Sequence, residues 1–298
     1  MSDPGPASEG PGQARILDQG YRRYDGERGG IRAAMRAVHK ASVQRALGLK
    51  RSARFKVVPL ATAVLSYLPA IVFVGAVALL PNQIQDEVPF GYSDYYGYIT
   101  AAIVLFVSFV TPEVLCTDRR SGMLGLYLAG PLDRIRYLAA KAAAIVSVLA
   151  VVTLGPTLLL LIGFSLADFG PDGALAVVKT LARIVASAAV VTAWYTALSM
   201  AVASLTDRRA FASAGIILTV LITSSVVSAL VSSGLSGALR FADLFSLPFE
   251  LVRRIYGERG AQDMADLSTL SLFLAGGLYL LAFSAVVVWR YHRLAVTR

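Results

Sequence analysis

Six stretches of this chain are each long and apolar enough to cross a lipid bilayer, and that leaves few folds open. They lie at about residues 57–80, 95–115, 138–166, 174–205, 210–231 and 268–289. A hydrocarbon core roughly 30 Å thick is spanned by about twenty helical residues, since each advances about 1.5 Å. Backbone polar groups find no water there, so only helices or a closed barrel can cross. Barrel strands alternate apolar and polar residues over about ten positions. These runs are instead continuous and rich in Leu, Ala and Val. The expected fold is an all-α integral membrane protein with six transmembrane helices in one domain over residues 57–298. Its 56% hydrophobic and 16% charged residues set it apart from soluble domains. Lys179 and Arg183 interrupt the start of the fourth run.

Charge placement predicts the orientation. Lys and Arg crowd into residues 1–56, 113–141, 207–209 and the tail after Trp289, whereas 81–94 has none and carries Asp86, Glu87 and Asp94. By the positive-inside rule both termini are expected in the cytoplasm, with the chain in the cytoplasmic (plasma) membrane. The formal charge of +9 then marks topology and attraction to anionic lipid, and no nucleic-acid module accompanies it. The apolar runs start behind a long charged leader, unlike a cleavable signal, so the amino terminus is expected to stay. With Cys116 as the single cysteine, no internal disulfide can form.

Residues 1–30 are rich in Gly, Pro, Ser and charge and form a flexible leader. From 31 to 56 a helical pattern places Ile31, Met35, Val38, Ser42, Ala46 and Leu49 on one face, with Arg32, Arg36 and Lys40 to the side. This predicts an amphipathic interfacial helix; a solvated basic leader that serves only topology is the simpler alternative. Small residues should bring the spans together, with Ala189, Ala193, Ala197 and Ala201 forming one ridge and Ser224, Ser228 and Ser232 another.

Several chemistries are missing. A P-loop needs Gly-Lys before Ser or Thr, yet Lys40, Lys50, Lys56, Lys141 and Lys179 follow His39, Leu49, Phe55, Ala140 and Val178. His39, His292 and Cys116 have no metal-ligand spacing, and no Gly-x-Ser-x-Gly elbow is present. The chain is not expected to be an enzyme, nor to bind a cofactor or metal itself.

Between the second and third runs lies a basic loop, residues 113–141. Thr111-Pro112-Glu113 should bend or end the second span near the membrane face. Asp118, Arg119 and Arg120 follow, then Ser121-Gly122, the apolar run Met123 to Leu128, and a break at Gly130-Pro131. Asp133 is placed to cap a new helix that carries Tyr137 and Lys141. As a set, Asp118-Arg119, Gly122, Leu124 to Leu128, Pro131-Leu132-Asp133-Arg134, Tyr137 and Lys141 resemble the first cytoplasmic loop of ABC-2 type ABC transporter permeases. Two departures are Asp118, where that family often has glutamate, and Gly125 within the leucine-rich part.

The resemblance extends over most of the chain and implies an exporter permease driven by a cytosolic ABC ATP-binding subunit, with ATP and Mg held by that partner. It also implies a second permease copy or a related permease. Asp118, Arg119, Arg120, Met123, Leu124, Leu126, Tyr127, Leu128, Pro131 and Arg134 would form the coupling contact; the simpler reading of the arginines is topology alone. The resemblance further implies a re-entrant segment within residues 232–267, where Leu239, Phe241, Leu244, Phe245, Leu247, Phe249 and Leu251 are more apolar than an exposed loop; a helix lying on the membrane surface has the same composition. Glu113, Lys179 and Arg183 are candidate functional charges. The last two can snorkel to headgroups or contact an anion or lipid headgroup. The spans show no dense polar lining, which favours an amphipathic or lipid-like cargo or drug over an ion. Rival classes are an ion-exporting permease, a lipid-modifying intramembrane enzyme and a non-transporting membrane scaffold.

Overall fold

A computed structural model describes residues 29–49, 52–79, 91–130, 132–260 and 264–294. Helix α1 spans Ile31–Ala46, α2 Arg54–Leu79, α3 Tyr95–Arg120, α4 Met123–Leu128, α5 Arg134–Leu166, α6 Ala174–Ser204 and α7 Arg209–Ser232. A 3₁₀ turn at Gly237–Ala242, helix α8 at Leu247–Tyr256 and helix α9 at Thr269–Arg293 complete the elements of the described residues. Six of these helices, α2, α3, α5, α6, α7 and α9, are long and apolar enough to cross a membrane, in line with the six apolar runs. The leader and the Tyr21 to Gly26 cluster lie outside the described residues.

Helix α3 is the central post. In its most apolar window 78% of residues are buried within the protein, against 17% for α2, α7 and α9. It packs on α1, α2, α5, α6 and α7. This explains why Pro112 does not end it. Proline removes one backbone donor and normally kinks or breaks a helix interior. Here Val110, Thr111, Pro112 and Val114 are all enclosed, and Thr111 Oγ1 meets Ser199 Oγ of α6 at 2.9 Å. Neighbouring helices hold the rod together, and it runs on to Arg120.

Glycines give α2 close access to α5. A Cβ built on Gly155 would meet the Tyr67 hydroxyl at 1.8 Å, and one on Gly163 would meet Val74 Cγ2 at 2.4 Å. Tyr67 uses that space to donate its hydroxyl to the Val151 carbonyl at 3.0 Å. On the alanine ridge Ala201 is buried, Ala193 and Ala197 are half-buried and Ala189 is exposed. The serine ridge has a polar use: Ser224 Oγ meets Asp243 Oδ2 at 3.4 Å, and Ser228 Oγ accepts from Arg240 Nη1 at 3.1 Å.

Those contacts anchor the segment after α7. Asp243 is fully buried and accepts the Phe245 and Ser246 N–H groups at 3.0 and 3.1 Å, which turns the chain into α8. The indole N–H of Trp194 donates to the Leu244 carbonyl at 3.1 Å. Trp194 is about 30 Å along α6 from Ala174 at about 1.5 Å per residue, so the segment folds back deep alongside that helix. Leu244, Leu247, Leu251 and Val252 are buried, and α8 packs on α6 and α9.

Helix α1 turns Val38, Ser42 and Ala46 inward against α5 and α3, while Ile31 and Leu49 stay exposed. It stops at Gly48, whose φ of +65° lets Leu49 N–H reach back to the Gln44 carbonyl at 2.7 Å.

Because the neighbour of Gly163 is a stiff branched side chain, Gly163→Ala should force α2 and α5 apart. The expected cost is about 1–3 kcal/mol, seen as a lowered midpoint of thermal unfolding in detergent. Gly155→Ala should additionally shift the Tyr67 fluorescence, because the phenol must leave Val151.

Candidate functional site

At one end of the bundle α3, α4, α5 and α1 meet around a single carboxylate. Asp118 lies on the inward face of α3, one turn beyond Val114 and Leu115, and none of it is exposed. Its Oδ1 accepts from Arg45 Nη1 of α1. Its Oδ2 accepts from the Tyr137 hydroxyl at 2.9 Å and pairs with Lys141 Nζ at 2.5 Å. The Lys141 ammonium is itself buried, donates to the Val114 carbonyl at 3.3 Å, and stands 5.7 and 5.4 Å from the ring centres of Tyr127 and Tyr137. Tyr127 of α4 and Tyr137 of α5 have ring centres 5.7 Å apart, and Tyr291 of α9 continues the row at 6.3 Å.

A buried charge is stable only where partners replace its lost hydration. Asp118 has two cations and a hydroxyl, and each cation has it in return. Burial works against the charge on Arg45, but the neighbouring Asp118 carboxylate, aided by Tyr127 and Glu113, outweighs that and moves its pKa upward. The Tyr127 phenol is also raised, by burial first and then by the negative charge of Asp118.

The other charges of the loop divide between inside and outside. Arg119 is almost enclosed; it pairs with Asp207, donates to the Ser204 carbonyl at 2.6 Å and so fastens the turn from α6 to α7. Arg134 donates to the carbonyls of His292 at 2.5 Å and Leu294 at 3.2 Å, satisfying the end of α9. Asp133 caps α5 by accepting the Arg136 N–H at 2.7 Å. Arg120, Ser121 and Gly122 are exposed, and Gly122 at φ +71° turns the chain into α4. On α4, Met123, Leu124, Tyr127 and Leu128 are half-buried and Leu126 is 66% exposed. Pro131 lies outside the described residues.

The sequence placed Asp118, Arg119 and Arg134 beside the apolar α4 residues on one partner-facing surface; the structure turns those three toward other helices of the same chain. The reason is the continuation of α3 past Pro112, which carries Asp118 round to the packed face. Arg45 was missed, since nothing local links it to a residue so far along the chain. Lys141 was visible in the loop motif, and a charge inside an apolar helix is itself a signal that a buried partner is near.

Elsewhere, Glu113 pairs with Arg209 at the start of α7. Lys179 is exposed, whereas Arg183 turns in and stands 5.7 Å from the ring centre of Tyr256, so the two part company despite sharing a helix face. Cys116 is buried, its thiol 3.4 Å from the Thr206 carbonyl. Among the described residues no three His, Cys, Asp or Glu side chains are grouped to hold a metal ion.

A family model for ABC-2 family transporter proteins matches residues 19–295. The chain belongs to that family. Comparison with curated proteins gave no match. As an ABC-2 family member it is a multi-pass membrane subunit of a transporter, and the buried Asp118 group lies where α4 joins two of its spans. Removing that carboxylate leaves two cations without their partner, so Asp118→Ala should destabilise this transporter subunit by about 3–5 kcal/mol. An Asp118→Leu, Lys141→Met double variant should recover much of the loss, because an apolar pair can replace a buried ion pair; thermal unfolding of the three purified proteins compares them.

Proposed function

We propose that the chain is the permease of an ATP-driven ABC-2 exporter, docked through α4 to a separate cytosolic ATP-binding subunit that holds the ATP and Mg. The observation that carries this is α4 itself. Six residues form a separate helix between two spans, with Leu126 projecting outward and the opposite side locked through Tyr127. Beside it opens a cleft of about 780 Å³ lined by Gly125, Leu128, Ala129, Asp133, Arg134 and His292 among others. A groove on the partner that grips α4 would bury Leu126, Met123 and Leu128, with Arg120 at the polar rim.

Force applied there has a rigid route inward. Tyr127 packs at a tilt on Tyr137, Tyr137 and Lys141 hold Asp118, and Asp118 holds α3 and α1. Closure of two motor subunits on ATP would thereby move α3 and α5 as bodies. The distribution of Lys and Arg supports a cytoplasmic placement of this end and of both termini, in the plasma membrane. A second copy or a related permease would complete the pathway, with membrane lipid on the remaining apolar faces.

For cargo we favour an amphipathic or lipid-like compound. Of the buried hydroxyls in the spans, Ser108, Thr153, Thr157, Ser199 and Ser204 each bond a carbonyl of their own helix, while those of Tyr195 and Thr196 have no partner among the described residues. The bonded hydroxyls are spent on backbone and on helix pairing, as in Thr153 with Thr192 at 2.9 Å, and support packing more than a path for ions. The folded-back segment before α9 fits a re-entrant element that enters from the outer side and reaches deep into the bundle.

Leu126→Asp should leave insertion and unfolding temperature unchanged and weaken capture of the ATP-binding subunit by at least about tenfold, the size of an interface hot spot. Charge reversal at Arg134 should act differently, loosening the end of α9 as well. Full coupling of ATP hydrolysis to transport in both variants would dismiss α4 as the docking element.

A further inference from the structure

A second cleft, of about 280 Å³, opens where α1, α2, α3 and α7 converge, at the same end of the bundle as α4. Arg45, Glu113 and Arg209 supply its charged wall; Val58, Pro59 and Phe109 supply an apolar one. Arg45 also holds Asp118, while Glu113 and Arg209 belong to neither the docking helix nor its neighbouring cleft.

The local charges do not cancel. Arg45, Lys141 and Arg209 face Asp118 and Glu113, and Asp118 is shared between two of the cations. One positive charge is therefore in excess. The side chains of Arg45 and Arg209 are 24% and 42% exposed, so both guanidinium groups remain reachable. Among the described residues each is joined to its carboxylate through Nη1, and a guanidinium has five N–H donors in a planar fork. Forks of this kind suit the oxygens of a phosphate.

Position and size decide which phosphate. Arg209 opens α7 and Lys56 lies in the first turn of α2, so the cleft sits at the level where these helices leave the hydrocarbon. Its apolar side continues onto a greasy outer surface, with Phe109 45%, Val57 58% and Leu60 64% exposed. A free phosphate gains nothing from that surface, whereas lipid tails do. The volume falls just under the roughly 300–1,000 Å³ of pockets that enclose whole drug-sized ligands. It suits a headgroup whose tails stay outside.

We propose that this cleft binds the phosphate of an anionic phospholipid through Arg45 and Arg209, with the acyl chains laid along Phe109 and α2. The assignment to the motor-facing leaflet rests on the proposed function; the binding itself does not. Glu113 sets the affinity by opposing the headgroup, and this gives the site a signature that a purely structural ion pair lacks.

The test is native mass spectrometry of the full-length chain in detergent, titrated separately with phosphatidylglycerol, phosphatidylcholine and inorganic phosphate. Phosphatidylglycerol should bind at least about tenfold more tightly than phosphatidylcholine, whose phosphate is the same but carries a quaternary ammonium that the two guanidinium groups repel. Inorganic phosphate should not compete. Arg209→Gln should lower the phosphatidylglycerol affinity about tenfold and Glu113→Gln should raise it. Equal binding of the two lipids, competition by inorganic phosphate, or variants that shift affinity in the same direction would overturn the proposal. Because no ATP-binding subunit is present, a failure of α4 docking leaves this measurement intact, and the converse holds.

Discussion

Asp118 carries its carboxylate away from the protein surface, and much of the surrounding structure supplies it with partners. Those partners come from α1, from two turns of α5 and, through packed rings, from α4 and α9. Low dielectric strengthens each contact and makes each loss expensive. Elements far apart in the chain are thus fixed in one arrangement. Helix α1 becomes part of the bundle end rather than an ornament on its surface.

The opposite end follows a related rule with different parts. Glu250 with Arg254 is a buried pair, and Arg253 reaches Asp94 at 2.9 Å, joining the folded-back segment to the start of α3. Ser93 adds a 2.5 Å bond to Glu258. Between these two charged ends the spans rely on glycine contact, hydroxyl pairs and aromatic edges such as Trp194 against Tyr279 and Phe283. A bundle stiff at both ends and held by weaker contacts between them is suited to tilting as a body.

The sequence revealed the parts that depend on local pattern. Apolar length gave the six spans to within a few residues, and the Asp133 cap was legible because a side chain there acts on a backbone only three positions away. The continuation of α3 through Pro112 was not, since its neighbours override a local rule and they come from distant residues. The same override explains the candidate site. Residues Met123 to Leu128 stand where their pattern put them, while Asp118 and Arg119 were turned inward by a helix longer than its sequence suggested. Arg45 could not be assigned from the chain alone, for its partner is set by how α1 crosses α3 and α5.

Arg134 ties together residues 158 positions apart, binding the His292 carbonyl at the close of α9. The root of α5 therefore holds the last turn of the final span as a rope holds a mooring post. Trimming that turn would be felt next to α4, although the cut lies at the other extreme of the chain. Tags joined directly to α9 pull on the same knot, and a spacer placed after Leu294 keeps the load off it.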